Sequence, residues 1–586
     1  MSLNFKKILL AGTALVAASV FATQAQATTV SYTLTGGTTW ASAGAAGAYT
    51  QADAAHAVSG DNVNTATFLL TVTNDGTARD ASGGTVNGFT LGAVTGTTGG
   101  LTVTTGANAN MAVTIGSITQ SGAATVTVSN RDADDANNAT SVTGALSTGG
   151  NLVVINNETD AANTVALTVG GALTVTGTTG LTAGAGAFAN TAALTVTGNS
   201  TFTGAATVTG GADATSTSTL TLNGATNAFT GGLTLTNGAA GAAKLTLGGT
   251  SAQTVSGTIA GNGTVTVANA SGVTFSGAVT ATGVTIEKTA GNASATFKNT
   301  VTAAITLGGD ANAGDVNTLT LDGTTAGFTV TGAIAGTGTE TNNIAVVGGH
   351  TITQATASTS NLTALTITGT GTKLASNAAL TVTGITIGSG ATLEKTAGAL
   401  TGTVDGTSAG VGTLAITASS TVTGAIGNTA KLAAVTVATG QTLTATSHVK
   451  ATTTTLTGTG TLALTAAAHT IDTNIVAAAN GDGAITVATG ASTPTITGNI
   501  GTSAAKVNTL TFTDDAGIAA MTTTGNLYIN TITLNTADTL QFLGTSAQTV
   551  SGAINAGAAA NKGSILVGNG TTTSDVTFNG QIGATN

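Results

Sequence analysis

The chain has 586 residues, of which only 6% are charged, with 84 Gly, one Pro and no Cys. A typical globular domain carries about 25% charged residues, and the absence of Cys rules out disulfide frameworks and thiolate metal sites. The net charge of −10 leaves no basic face for displacing phosphate counterions, which argues against nucleic-acid binding.

Residues 1–27 read as an export signal. Lys6 and Lys7 form a positive start and Ile8 to Phe21 an apolar stretch. Ala25-Gln26-Ala27 comes next with the small-x-small pattern of a cleavage site, so the mature chain is expected to begin at Thr28. The apolar stretch is too short for a bilayer core of roughly 30 Å, and no later segment offers about 20 consecutive apolar residues. No transmembrane helix is expected in the mature chain.

Residues 28–150 differ in composition from the rest of the mature chain. They hold Trp40, the only Trp, two of the three Tyr (Tyr32 and Tyr49), and both Arg (Arg79 and Arg131). This region reads as an N-terminal cap grading into the first coils of a repeat structure, whose open end needs cover. It also contains the one acidic cluster, Arg131-Asp-Ala-Asp-Asp-Ala-Asn-Asn138. Asp132, Asp134 and Asp135 carry oxygen ligands suited to Ca²⁺. The spacing fails as an EF-hand loop, because Asn137 replaces the sixth-position Gly and Thr143 the bidentate Glu. A solvated loop is the preferred reading, with a calcium site as the alternative. Asp514-Asp515 reads as a turn.

Residues 151–586 repeat a short unit: Ala172-Leu-Thr-Val-Thr-Gly177, Ala193-Leu-Thr-Val-Thr-Gly198, Leu233-Thr-Leu-Thr-Asn-Gly238, Ala379-Leu-Thr-Val-Thr-Gly384. Period-two alternation sends the aliphatics to one face and the threonines to the other. The closing Gly or Asn-Gly is expected to supply the positive φ that turns the chain. Longer near-copies recur as well. Gly249-Thr-Ser-Ala-Gln-Thr-Val-Ser-Gly257 returns at Gly544 to Gly552, and Glu287-Lys-Thr-Ala-Gly291 returns at Glu394 to Gly398. Gly424-Ala-Ile-Gly-Asn428 echoes Gly498-Asn-Ile-Gly-Thr502. A flat sheet of so many strands leaves open edges and a wet apolar face. Coiling removes both, so the expected fold is all-β, a long single-stranded parallel β-helix, or β-solenoid. At roughly 20 residues per turn it would have about 25 coils.

Chemistry-bearing motifs are sparse. His56, His350, His448 and His469 form no His-Glu-x-x-His pattern. No phosphate loop ends in Gly-Lys-Ser/Thr, no nucleophile elbow stands between a strand and a helix, and the acids are mostly isolated. The expectation is a non-enzymatic protein with no catalytic residues and no cofactor.

The export signal, the Thr/Gly/Ala-rich coils, and the segments Gly544 to Ile554 and Thr421 to Gly440 resemble the passenger regions of rickettsial-type surface autotransporters, the outer membrane protein A and B group. The resemblance covers roughly residues 150–586. It implies an adhesin or surface antigen at the surface of a Gram-negative-type bacterium, meeting host or neighbouring cells. The alternative is an S-layer-like coat or extracellular matrix protein that self-associates. Such proteins close with a membrane β-barrel of alternating strands, whereas Asp575 to Asn586 keeps the solenoid pattern. An outer-membrane anchor is therefore expected from a missing segment or a partner.

Overall fold

The computed structural model describes residues 28–583 except 35–37, 43–48, 54–62, 65–67, 75–87, 97–99, 106–110, 131–136, 160, 185, 310–311, 356–357, 466–468, 489–493, 514–519, 536–537, 558–562, 570 and 572–573, with side chains from residue 92 onward apart from 105 and 111. No helix occurs among them, and the chain is a parallel β-solenoid. Two compact units divide it, residues 1–266 and 267–586.

In the first unit each coil from residue 138 to residue 261 has three short strands, whereas before it Met111–Gln120 runs unbroken along two sides, pairing with both Asn138–Val142 and Leu146–Thr148. Thr164–Val169, Leu173–Val175 and Thr179–Thr182 make one coil; Thr191–Val196, Ser200–Phe202 and Ala206–Thr209 make the next. The register is strict, for the three strands advance by the same step: Thr164 faces Thr191, Leu173 faces Ser200 and Thr179 faces Ala206. Alternation explains why the layers stack. Leu167, Leu194, Leu220 and Leu245 form one inward rank, each at most 1% exposed. Thr168, Thr195, Thr221 and Thr246 form the outward rank beside it. Each buried Leu contributes about 1.5–3 kcal/mol of transfer free energy. The parallel ladder also runs through Phe68–Asn74, Leu101–Thr105 and Val126–Ser129. One antiparallel pair, Thr38–Ser42 with Tyr49–Asp53, stands apart and carries Trp40.

Many turn glycines take the positive φ that the sequence suggests, among them Gly257, Gly291, Gly398 and Gly427, but the glycines that close the short units do not. Gly177, Gly198, Gly238 and Gly384 all lie outside the left-handed φ region. Close stacking requires glycine at the first three, whereas a Cβ on Gly384 would meet only the Thr403 hydroxyl, at 3.7 Å. A Cβ on Gly177 would sit 2.6 Å from the carbonyl carbon of Gly150, and one on Gly204 would sit 2.3 Å from the oxygen of Gly177. A second column runs through Gly144, Gly171 and Gly198, with equivalent approaches of 2.6 and 2.5 Å. Only glycine lets one corner rest on the backbone below. The neighbouring asparagines serve the next coil: Asn151 Oδ1 accepts from the Thr178 N–H at 2.9 Å and Asn199 Oδ1 from the Thr226 N–H at 3.0 Å.

The second unit is less regular, and its coil length is not constant. Val435 faces Thr454, a short step, whereas Gln548 faces Val576, a much longer one. Some strands turn a corner without breaking. Leu380–Ile387 pairs Thr381 with Thr401 and then, after a register shift, Gly384 with Thr403. Such a bulge bends the strand while its ladder resumes beyond. The described coils make about 18 turns, fewer than the short repeat period implied, because three sides and their corners commonly take a longer stretch of chain. Aromatic side chains stack inside: Phe202 on Phe229 at 4.9 Å in the first unit, Phe275 on Phe297 at 4.7 Å in the second.

Candidate functional site

The outer faces are the most regular feature available for contact. Beside the rank Thr168–Thr246 in the first unit, Thr174 faces Thr201 on a second side. In the second unit Thr486, Thr511 and Thr533 align, and the hydroxyls of Thr366 and Thr386 lie 3.2 Å apart. Successive strands in a rank are about 4.8 Å apart. Threonine keeps high β-propensity while offering a donor and an acceptor to a partner or to water. Charges interrupt these ranks sparsely and often in pairs, as in Lys298–Asp322 at 3.3 Å, Lys373–Glu394 at 2.9 Å and Lys431–Asp472 at 2.9 Å. Burial opposes ionisation of Asp322, but hydrogen bonds from Thr324 and the ammonium of Lys298 hold its carboxyl below the usual range. Exposed pairs of this kind contribute about 0–1 kcal/mol each.

The interior holds polar groups that the sequence reading passed over. Lys395 is fully buried; its Nζ donates to Ser376 Oγ at 3.0 Å and to the Ala378 carbonyl at 2.5 Å. Ser376 in turn donates to Gln354 Oε1 at 3.2 Å. Burial alone pushes the Lys395 ammonium down to about 8. The signal was present, since alternation through Thr392–Lys395 sends Leu393 and Lys395 to the same side. In the first unit Glu158, also fully buried, accepts from Asn163 Nδ2 at 2.9 Å, and its carbonyl accepts from Asn190 Nδ2 at 2.9 Å. The duplicated nonapeptide performs one task twice. Gln253 Nε2 donates to the carbonyls of Leu222 and Gly224, and Gln548 Nε2 to those of Thr523 and Gly525.

The histidines do not stay apart. His448 and His469 lie one coil apart with ring centroids at 5.6 Å, edge to face. A spacing near one coil length was the available clue. His350 places Nδ1 2.6 Å from the Gly323 carbonyl. His56, the acidic residues Asp132, Asp134 and Asp135, the turn Asp514-Asp515, and Ala25 and Ala27 of the cleavage motif lie outside the described residues. Among the described residues no group of three or more His, Cys, Asp or Glu is placed to hold a metal ion. No described helix is long and apolar enough to cross a membrane. No family model, curated protein or solved structure matches the chain.

Proposed function

We propose that this is an exported cell-surface protein of the autotransporter-passenger type, similar in kind to the rickettsial surface antigens, acting as an adhesin or surface antigen. It works by contact rather than by catalysis. The observation that carries the reading is the outward rank Thr168–Thr195–Thr221–Thr246, in register beside an inner rank of leucines. A fold built this way devotes its sequence to repeated, sparsely charged outer surface over a largely apolar interior. The signal-like segment 1–27 supports export. Deletion of the gene tests the reading: attachment to host or neighbouring cells should fall while envelope integrity is unchanged. Unaltered attachment would contradict an adhesin.

The regularity of the same ranks favours a second reading, a coat or matrix in which copies pack side by side through uncharged faces. Electron microscopy of the cell surface separates the two, because a coat gives lateral order that is lost on deletion.

A further inference from the structure

The geometry at His448 and His469 points to an acid-labile seam between two coils. His448 precedes the strand Val449–Leu456, and His469 precedes the next strand of that ladder, Thr470–Ala477. The backbone N–H of Thr470 donates to His448 Nδ1 at 3.0 Å, so this nitrogen must carry a lone pair and the ring must be neutral. Nε2 of His469 is buried and has no hydrogen-bond partner among the described residues. A proton there would place an unpaired charge inside the corner. The two rings also lie close enough that charging one opposes charging the other.

We propose that acidification charges His469, leaves that charge unpaired against the His448 ring, and parts the leading ends of strands Val449–Leu456 and Thr470–Ala477 while the other coils hold. The described groups packed around the pair offer no free carboxylate to compensate. Lys450 and Asp472 face each other in register; Lys450 bonds Asn428, and Asp472 is engaged by Lys431 at 2.9 Å and by the Thr497 hydroxyl at 3.2 Å. The flanking coils, which meet the pair through the Ile426 and Thr495 N–H groups, bring only uncharged residues at 424–426 and 494–496. Burial, and then the neighbouring His448, hold the pKa of His469 below the usual histidine value. As pH falls through about 6.5 the unfolded chain therefore takes up protons first, so acid favours opening. Coil ends parted in this way expose strand edges, which are templates for pairing with another chain.

Hydrogen exchange of the purified protein at about pH 7.5 and about pH 5, corrected for intrinsic rates, reads the seam directly. Amides at 449–451 and 470–473 should exchange on the order of tenfold faster in acid, with those of Thr191–Val196 unchanged. The double variant His448→Asn, His469→Gln keeps an acceptor near Thr470 without a titrating group and should lose the difference. Equal protection of the wild type at both pH values, or an undiminished acid effect in the double variant, overturns the proposal. Should the double variant fail to fold, the wild-type imidazole C–H resonances decide: titration of His469 at or above the ordinary value overturns it, and titration below supports it.

Discussion

Lys395 places its Nζ 3.0 Å from Ser376 Oγ inside the coil, and neither residue is exposed at all. The two neutral acceptors that hold the ammonium, Ser376 Oγ and the Ala378 carbonyl, bind its protons without neutralising its charge. The ammonium's pKa falls from 10.5 to about 8, so between these values the unfolded chain holds a proton that the folded chain has released. Stability therefore rises with pH across that window, and the cost of the charge is fully present below about 8.

Replacing Lys395 with Met is expected to stabilise the protein at neutral pH by about 1–3 kcal/mol, because a buried charge gives way to a side chain of similar length. Urea unfolding at neutral and alkaline pH checks this. The wild type should gain stability between about pH 8 and 10.5 and the variant should not. Destabilisation of the variant at neutral pH would mean that the hydrogen bonds outweigh the desolvation.

Val382 is 1% exposed and faces the core, while its neighbour Thr381 faces outward and is half-buried. Val382→Asp should cost several kcal/mol, on the order of 3–5, by burying an unpaired carboxylate. Thr381→Asp should stay within about 0.5 kcal/mol. Denaturant midpoints for the pair measure the register, since a one-residue slip would exchange the two results.

Glycine should matter by position rather than by turn type. Gly177→Ala would drive a Cβ to 2.5 Å from Asn151 Oδ1 and 2.6 Å from the Gly150 carbonyl carbon, at a cost of about 1–3 kcal/mol. Gly180 has nothing within 4 Å of the same point and stands in an outer rank between Val153 and Thr207. Gly180→Thr should raise the melting temperature, corresponding to about 0.5–1 kcal/mol. Thermal unfolding of both variants tests the columns: equal effects would mean that the corners are not closely stacked.

The fold was legible because alternation is a strictly local code. Leu173, Val175, Leu194, Val196, Leu380 and Val382 all point inward as their spacing requires. The corners were not legible, because glycine at a close approach and glycine at positive φ look identical in a sequence. Gly177 belongs to the first class, and Gly440, at φ 72° with no atom nearer than 4.0 Å to its Cβ position, to the second. Copies of one motif also diverge with the strand they close. In Glu287-Lys-Thr-Ala-Gly291 the strand ends at Ile286, so Lys288 escapes and stays half-buried. In Glu394-Lys-Thr-Ala-Gly398 the strand runs on through Lys395 and carries it inside. Contacts one coil apart, such as His448 with His469, needed the coil length, and that length changes along the second unit, as the pairs Val435–Thr454 and Gln548–Val576 show.

The absence of cysteine makes one measurement decisive, because any introduced thiol is unique in the chain. Thr174 is exposed and Val175 is fully buried, one residue apart on the same strand. On intact cells a membrane-impermeant maleimide should label Thr174→Cys, and should label Val175→Cys only after denaturation. Labelling of Thr174→Cys only after cell lysis would contradict display at the cell surface, and equal labelling of both variants on intact cells would contradict the solenoid register.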